Sequence, residues 1–198
     1  IDDVDYFLKQ SNHRVDVTAG FSLERNRQHD IFLRAQNFAG TSFRFLQDAA
    51  TPITTQSFET NSTANSLFAR IKYGYSERYL FALNMRYDGS SKFGENNRFA
   101  FFPSVSALWY ASKESFFHSN AFTKVIFSTS YGITGNDQIG NFMSLDLFSA
   151  GSNYDGEGGI SPTQLANPDL RWESTYQFNL ATQFELFGRI NVRADLYR

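Results

Sequence analysis

Cysteine is absent from the 198 residues, which excludes a disulfide framework, a thiolate metal site and a cysteine nucleophile together. A basic excess is absent too: Lys+Arg number 18 against Asp+Glu 20, for a formal net charge of -2. Nucleic-acid binding rests on cations that release counterions from phosphate, so nucleic acid is not an expected partner. No run of about 18 apolar residues occurs, so no membrane-crossing helix is encoded. His13, His29 and His118 stand in unrelated contexts without a second ligand nearby on one face, and zinc is not expected. Nucleophile-elbow, Walker and dinucleotide fingerprints are all missing. The stretch Tyr154-Asp155-Gly156-Glu157-Gly158-Gly159 offers carboxylates, but not at EF-hand spacing, and reads as an exposed loop. No metal, cofactor or catalytic residue is assigned, and the chain is not read as an enzyme.

What the sequence does have is aromatic residues. They make up 17% of it, with Phe 22 and Tyr 10, although the mean hydropathy is polar at -0.39. A polar average with many large aromatics fits a membrane β-barrel, whose lipid face and aromatic girdles alternate with a wet lumen. It also fits an aromatic-rich β-sandwich, secreted and binding carbohydrate, and composition leaves both open.

Period two dominates the chain. Val15, Val17, Ala19, Phe21 and Leu23 share one face against Arg14, Asp16, Thr18, Ser22 and Glu24, as strands require and helices forbid. The pattern returns at Leu67 to Tyr75, Phe81 to Tyr87, Val105 to Trp109, Val125 to Tyr131, Tyr176 to Leu186 and Ile190 to Leu196, and Val4, Tyr6 and Leu8 suggest a truncated eighth strand. Tyr73, Tyr75, Tyr79, Tyr87, Trp109 and Tyr131 fall near strand ends on the apolar face, where interfacial girdles lie. Short connections at 10–13, 76–78 and 187–189 alternate with long ones at 26–66, 89–98 and 132–171, as strands turning at two ends of an up-and-down barrel would show. Segment 111–123 falls on the short end despite its length. The Ser/Thr/Asn-rich stretch 51–65 reads as exposed loop, and Phe43, Phe45, Phe58, Phe142, Phe148 and Tyr154 are expected to pack the long loops internally.

Three segments carry a resemblance. Arg86-Tyr87-Asp88-Gly89-Ser90-Ser91-Lys92-Phe93-Gly94, followed by Phe102-Pro103-Ser104-Val105-Ser106-Ala107, is one. Tyr131-Gly132-Ile133-Thr134-Gly135-Asn136 is the second, and Asn167-Pro168-Asp169-Leu170-Arg171-Trp172-Glu173 the third. Their order and spacing resemble SusC/RagA TonB-dependent outer-membrane transporters over residues 67–198. Asp88-Gly89 alone would read as a strand-to-loop turn with glycine at positive φ, and Pro103 as a proline near a strand start. The motif residues are therefore expected to build turns and rims rather than to hold substrate.

The resemblance implies a barrel of roughly twenty-two strands with a plug, a surface lipoprotein of the SusD type, drive through TonB, and oligosaccharide or peptide cargo. No plug, TonB box or lipoprotein-binding segment is matched in the sequence. The expected fold is all-β: an antiparallel up-and-down transmembrane β-barrel, present as an open segment of about eight strands, with 1–198 as one partial barrel domain of a larger transporter in the outer membrane. Val15, Phe21, Ile71, Phe81, Leu83, Phe127, Phe178 and Val192 should face lipid, and Arg70, Lys72, Asn84, Arg86, Asn179 and Arg193 the lumen. The chain starts and stops within strand patterns, so its first and last strands should lie apart rather than close a small barrel.

Overall fold

Alternating residues dictate strands, and strands are nearly all that forms. The computed structural model describes residues 2–10 and 12–198. Eight strands pair in one antiparallel sheet: β1 (Asp2–Gln10), β2 (His13–Phe38), β3 (Ala49–Tyr75), β4 (Tyr79–Ser90), β5 (Phe99–Tyr110), β6 (Phe122–Asn136), β9 (Glu173–Leu186) and β10 (Ile190–Tyr197). A separate hairpin of β7 (Leu147–Tyr154) and β8 (Glu157–Gln164) interrupts the β6–β9 connection. The sheet order is β1-β2-β3-β4-β5-β6-β9-β10, so β1 and β10 are its opposite edges and do not pair with each other.

The register aligns the faces. Ile71 pairs with Leu83, Leu83 with Val105, Val105 with Tyr131, and Tyr131 with Phe178. One residue along, Arg70 lies opposite Asn84, Asn84 opposite Ser104, and Ser104 opposite Gly132. Directly opposite residues project to the same side, so one face is apolar and the other polar across the sheet. The sheet curls toward its polar side. A single groove touches Lys72 on β3, Ser106 on β5, Asn179 on β9 and Asp195 on β10, and strands about 4.8 Å apart reach across five spacings only when bent around a hollow. The apolar face is therefore convex. Nothing in the described structure covers it: Phe21, Leu67, Phe81, Leu83, Phe127 and Phe178 are all exposed. A β-sandwich needs a second sheet there, and the lone β7–β8 hairpin does not supply one.

Aromatic residues mark two levels on the convex face. At the short-turn end His13 lies against Tyr75 with ring centroids 4.9 Å apart, Tyr75 stacks on Tyr79 at 6.3 Å, and Trp109 on Phe127 at 5.7 Å. At the other end Tyr87 stacks on Phe99 at 5.4 Å. Tyr79 and Tyr87 stand eight residues apart on β4, roughly 27 Å at about 3.4 Å per residue. A tilt of about 40° reduces this to roughly 21 Å, close to the apolar band of about 25 Å in outer-membrane barrels. Leu83 lies halfway.

Two hairpins close as type I′ turns, with both central residues at positive φ: Ser76 and Glu77 (50° and 55°), and Phe187 and Gly188 (53° and 66°). Each is sealed by a backbone bond, Arg78 N–H to the Tyr75 carbonyl at 2.9 Å and Arg189 N–H to that of Leu186 at 3.0 Å. This turn type matches the twist of the strands it joins. Segment 111–121 lies at the same end and is held by Glu114. Its carboxylate accepts from Tyr79 Oη at 2.6 Å, Trp109 Nε1 at 3.1 Å and Arg78 Nη1 at 3.2 Å.

The expected boundaries fail in two places. Segments 26–38 and 49–65, expected within a long connection, continue β2 and β3, and the loop between them is only 39–48. Beyond Ala64, where β4 stops pairing, these strands rise as a two-stranded arm. The expected 132–171 loop likewise contains the rest of β6 and the β7–β8 hairpin, whose turn puts Asp155 and Gly156 at φ 52° and 87°.

Two outcomes are expected. Leu83→Arg puts charge at mid-band on the convex face and should cost about 2–4 kcal/mol when the protein folds into bilayers, whereas Asn84→Arg should be mild; equal costs would remove the membrane assignment. The Tyr79 and Trp109 hydrogen bonds hold the Glu114 carboxyl below its ordinary 4.5. A depressed folded pKa stabilises above the unfolded value and loses that contribution as pH falls through the folded one. Protease resistance of 111–121 should accordingly drop below about pH 4.5 in the native protein, while Glu114→Gln should be sensitive throughout and lack this acid transition.

Candidate functional site

The three motif segments, far apart in sequence, meet at the rim opposite the short turns. β4 brings Asp88, Gly89 and Ser90 there, β6 brings Thr134, Gly135 and Asn136, and the strand entry of β9 brings Trp172 and Glu173. Phe93 is the hub, 1% exposed. Its ring lies 4.5 Å from that of Trp172, and Phe102 meets Trp172 edge-on at 5.4 Å. Phe102 is an apolar side chain on the polar face, opposite Arg86.

Backbone contacts pull the loops onto this aromatic centre. Gly94 N–H donates to the Leu170 carbonyl at 2.9 Å and Asn96 N–H to that of Pro168 at 3.2 Å. The Asn96 side chain donates to Asp169 at 2.9 Å, that of Asn97 to the Asp169 carbonyl at 3.1 Å, and Trp172 Nε1 to the Arg98 carbonyl at 3.1 Å. Asn167 N–H donates to the Ser144 carbonyl at 3.0 Å, bringing in segment 137–146. Ser91 exchanges two bonds with Thr63, N–H to carbonyl and N–H to Oγ, both 2.9 Å, which ties the cluster to the foot of the arm. Asn136 donates to Glu173 at 3.0 Å, and Lys92 reaches the Asp137 carbonyl at 2.9 Å.

Several glycines are explained by close approach. A Cβ on Gly94 would enter the Pro168 carbonyl, and one on Gly135 the Phe102 ring. Gly132 would meet Ser104 Cβ at 2.7 Å. Gly89 corrects the expectation: it lies within β4, not in a turn, and is not among the positive-φ glycines. It is required because the Phe99 ring lies over it. Pro103 is likewise inside β5 rather than at its start, at the point where the β6 ladder ends, since pairing with β6 begins at Ser104. Tyr131 stands apart from the cluster, facing outward between Val105 and Phe178. The expected loop packing by aromatics does not occur for Phe43, Phe45, Phe58 and Phe148, which are exposed.

The chemistry of the cluster is that of a clasp. Its carboxylates are spoken for singly: Asp88 by Arg86 at 3.1 Å, Asp137 by Lys92 at 3.7 Å, Asp169 by Asn96 and Glu173 by Asn136. Among the described residues no three His, Cys, Asp or Glu side chains gather as metal ligands. Below the clasp, the groove of the concave face is lined by Asn84, Arg86, Ser104, Gln177 and Asn179, with Phe102 and Trp172 at its upper edge.

If Phe93 couples the loops, Phe93→Ala should lose about 3–5 kcal/mol of local stability and expose both 91–98 and 137–172 to protease in the detergent-purified protein. Trp172→Phe should be far milder, since the Arg98 carbonyl keeps the Ser90 N–H at 3.0 Å. Cleavage confined to 91–98 would show that the loops are independent.

Comparison with known proteins agrees with this architecture. The family model described as "TonB dependent receptor-like, beta-barrel" matches residues 2–198. A TonB-dependent receptor of Formosa agariphila is 38% identical over 93% of the chain and 18% of its own length. The TonB-dependent receptor SusC of Bacteroides thetaiotaomicron is 34% identical over 71% of the chain and 15% of its own. The RagAB peptide importer, solved in "closed-closed" and "open-open" states, matches with TM-scores of 0.86 and 0.87 at 26% identity, covering 98% of this chain and 22% of that one. The chain thus spans about a fifth of the length of the proteins it matches. An open, curved, eight-stranded sheet with an apolar convex face accounts for that match, and the chain belongs to the TonB dependent receptor-like β-barrel family, resembling its SusC/RagA members.

Proposed function

We propose that these residues form a stretch of wall in a larger TonB-dependent importer of the outer membrane, which takes up oligosaccharides or peptides with a SusD-like surface lipoprotein. The supporting observation is the division of faces: the polar side is concave and grooved, and the apolar side is convex, uncovered and bounded by aromatic residues. Such a wall supplies a hydrated lumen and a lipid seal, while drive through TonB acts on other parts of the protein. The motif residues Asp88, Gly89, Ser90, Ser91, Phe93, Gly94, Pro103, Gly132, Thr134, Gly135, Asn136, Asn167, Pro168, Trp172 and Glu173 are structural in this reading, fixing the outer rim, and Tyr131 faces the bilayer. The nearly equal match to two states of RagAB supports a passive wall, because one backbone shape serves both. The family is one of transporters, and no catalytic role is assigned.

Deletion of the full-length gene in its own host tests the proposal. Growth on an oligosaccharide or peptide mixture as sole nutrient should fall while growth on the corresponding monosaccharides and amino acids persists, and the protein should fractionate with outer membranes together with a lipid-anchored surface protein. Undiminished growth on all oligomers tested, or recovery in the soluble fraction, would overturn it.

A further inference from the structure

The outward face of β2 changes character abruptly. Val15, Val17, Ala19, Phe21 and Leu23 are followed on the same side by Arg25, Arg27 and His29. β3 turns polar at the same level, since Phe21 pairs with Leu67, Leu23 with Asn65, Arg25 with Thr63 and Arg27 with Asn61. Over residues 24–30 of β2 the charges are sorted by face. Arg25 and Arg27 project outward, whereas Glu24 and Asp30 lie at even positions that project inward. One carboxylate shares the outward side: Glu59, which accepts from Arg27 at 2.7 Å and from Asn61 at 3.0 Å. The Arg25 side chain is exposed and makes no hydrogen bond or ion pair among the described residues.

Depth gives this pattern its meaning. The last apolar rows are Phe21, Leu67, Tyr87 and Phe101, and then Leu23 and Phe99. Arg25 stands one same-face step, about 7 Å along the strand, beyond Leu23, and Arg27 about 14 Å. With a strand tilt of about 40° these become roughly 5 and 10 Å beyond the hydrocarbon edge, where headgroup phosphates lie. Guanidinium groups present planar donor forks matched to phosphate oxygens, and Leu23 and Leu67, both exposed below them, offer a surface for acyl chains.

We propose that Leu23, Arg25, Arg27 and Leu67 form an outward-facing site for the phosphate of an anionic outer-leaflet lipid. Arg25 supplies the open cation, while Arg27, balanced by Glu59, supplies a fixed donor fork. The site rests on the membrane reading of the convex face and on the long loops lying outside the cell, and both can be tested separately by the Leu83/Asn84 pair and by surface labelling of the loops.

The test uses the full-length protein in detergent with lipid A as probe, in diphosphorylated and phosphate-free forms, and native mass spectrometry to count retained lipid. Wild type should retain the phosphorylated form. An R25Q/R27Q double variant should retain it at least tenfold less, in line with about fivefold per cationic contact at a charged surface, while R34Q, an inward-facing arginine of the same arm, should match wild type. All three should show the same heat-modifiable migration, so that a folding defect is separated from lost binding. Equal retention by wild type and the double variant, or equal retention of both lipid forms, would overturn the site. Displacement of lipid by inorganic phosphate at equal concentration would overturn its assignment to a lipid headgroup in favour of a free anion.

Discussion

A ladder without slips is the constraint on which everything else depends. Side chains alternate with period two, so a one-residue shift between neighbours would move a whole strand's apolar set into the lumen. The register shifts fall outside the apolar band: Arg34/Ala35 high in the arm, Phe122/Lys124 at the short-turn end, and the separate β7–β8 hairpin. Between the aromatic levels, the row Ile71, Leu83, Val105, Tyr131, Phe178 crosses five strands unbroken. Hydrocarbon enforces this, because a bulge there would leave backbone N–H and C=O groups without water or partners.

The two ends of the sheet solve their termination differently. At the short-turn end, the three-residue connections 76–78 and 187–189 leave little chain to organise, and the one longer connection is pinned by a single carboxylate with three donors. At the opposite end the loops are long, and ordering them costs backbone entropy of about 1–2 kcal/mol per residue. Burial of Phe93, with Phe102 and Trp172 around it, offsets part of that cost. Glycine is demanded at 94 and 135 because backbone and ring approach there more closely than a Cβ allows.

Legibility followed the solvent. Strands with one face in lipid and one in water were evident from alternation, as was their pairing of short and long connections. The arm was not, because both its faces project beyond the bilayer, so the Ser/Thr/Asn sequence of 51–65 carries no periodic contrast although it pairs with β2 on either side of the register shift at Arg34/Ala35. The β7–β8 hairpin was missed for a related reason: its Asp155-Gly156 turn is a strong hairpin signal, but the strands beside it are rich in Gly and Ser. Gly89 and Pro103 are constrained not by turn geometry but by a neighbour across the ladder, a ring over Gly89 and the end of β6 pairing at Pro103. The convergence of the three motifs was not readable, because it depends on how far the sheet curls.

The polar face shows how a wet wall carries charge without a strong field. Arg14–Asp16, Arg86–Asp88 and Arg193–Asp195 are each a pair two residues apart on one strand, at 3.2, 3.1 and 2.8 Å. Positions i and i+2 share a face about 7 Å apart, a gap the long guanidinium spans along its own strand without relying on a neighbour. Each pair is therefore neutral locally and insensitive to small changes in strand spacing. β3 departs from this arrangement, with Arg70 and Lys72 on the concave face and no ion pair for either within the described residues. Exposed pairs add little stability, so their effect is to hydrate the surface. Arg70 and Lys72 thus place unpaired positive charge on the concave side of β3.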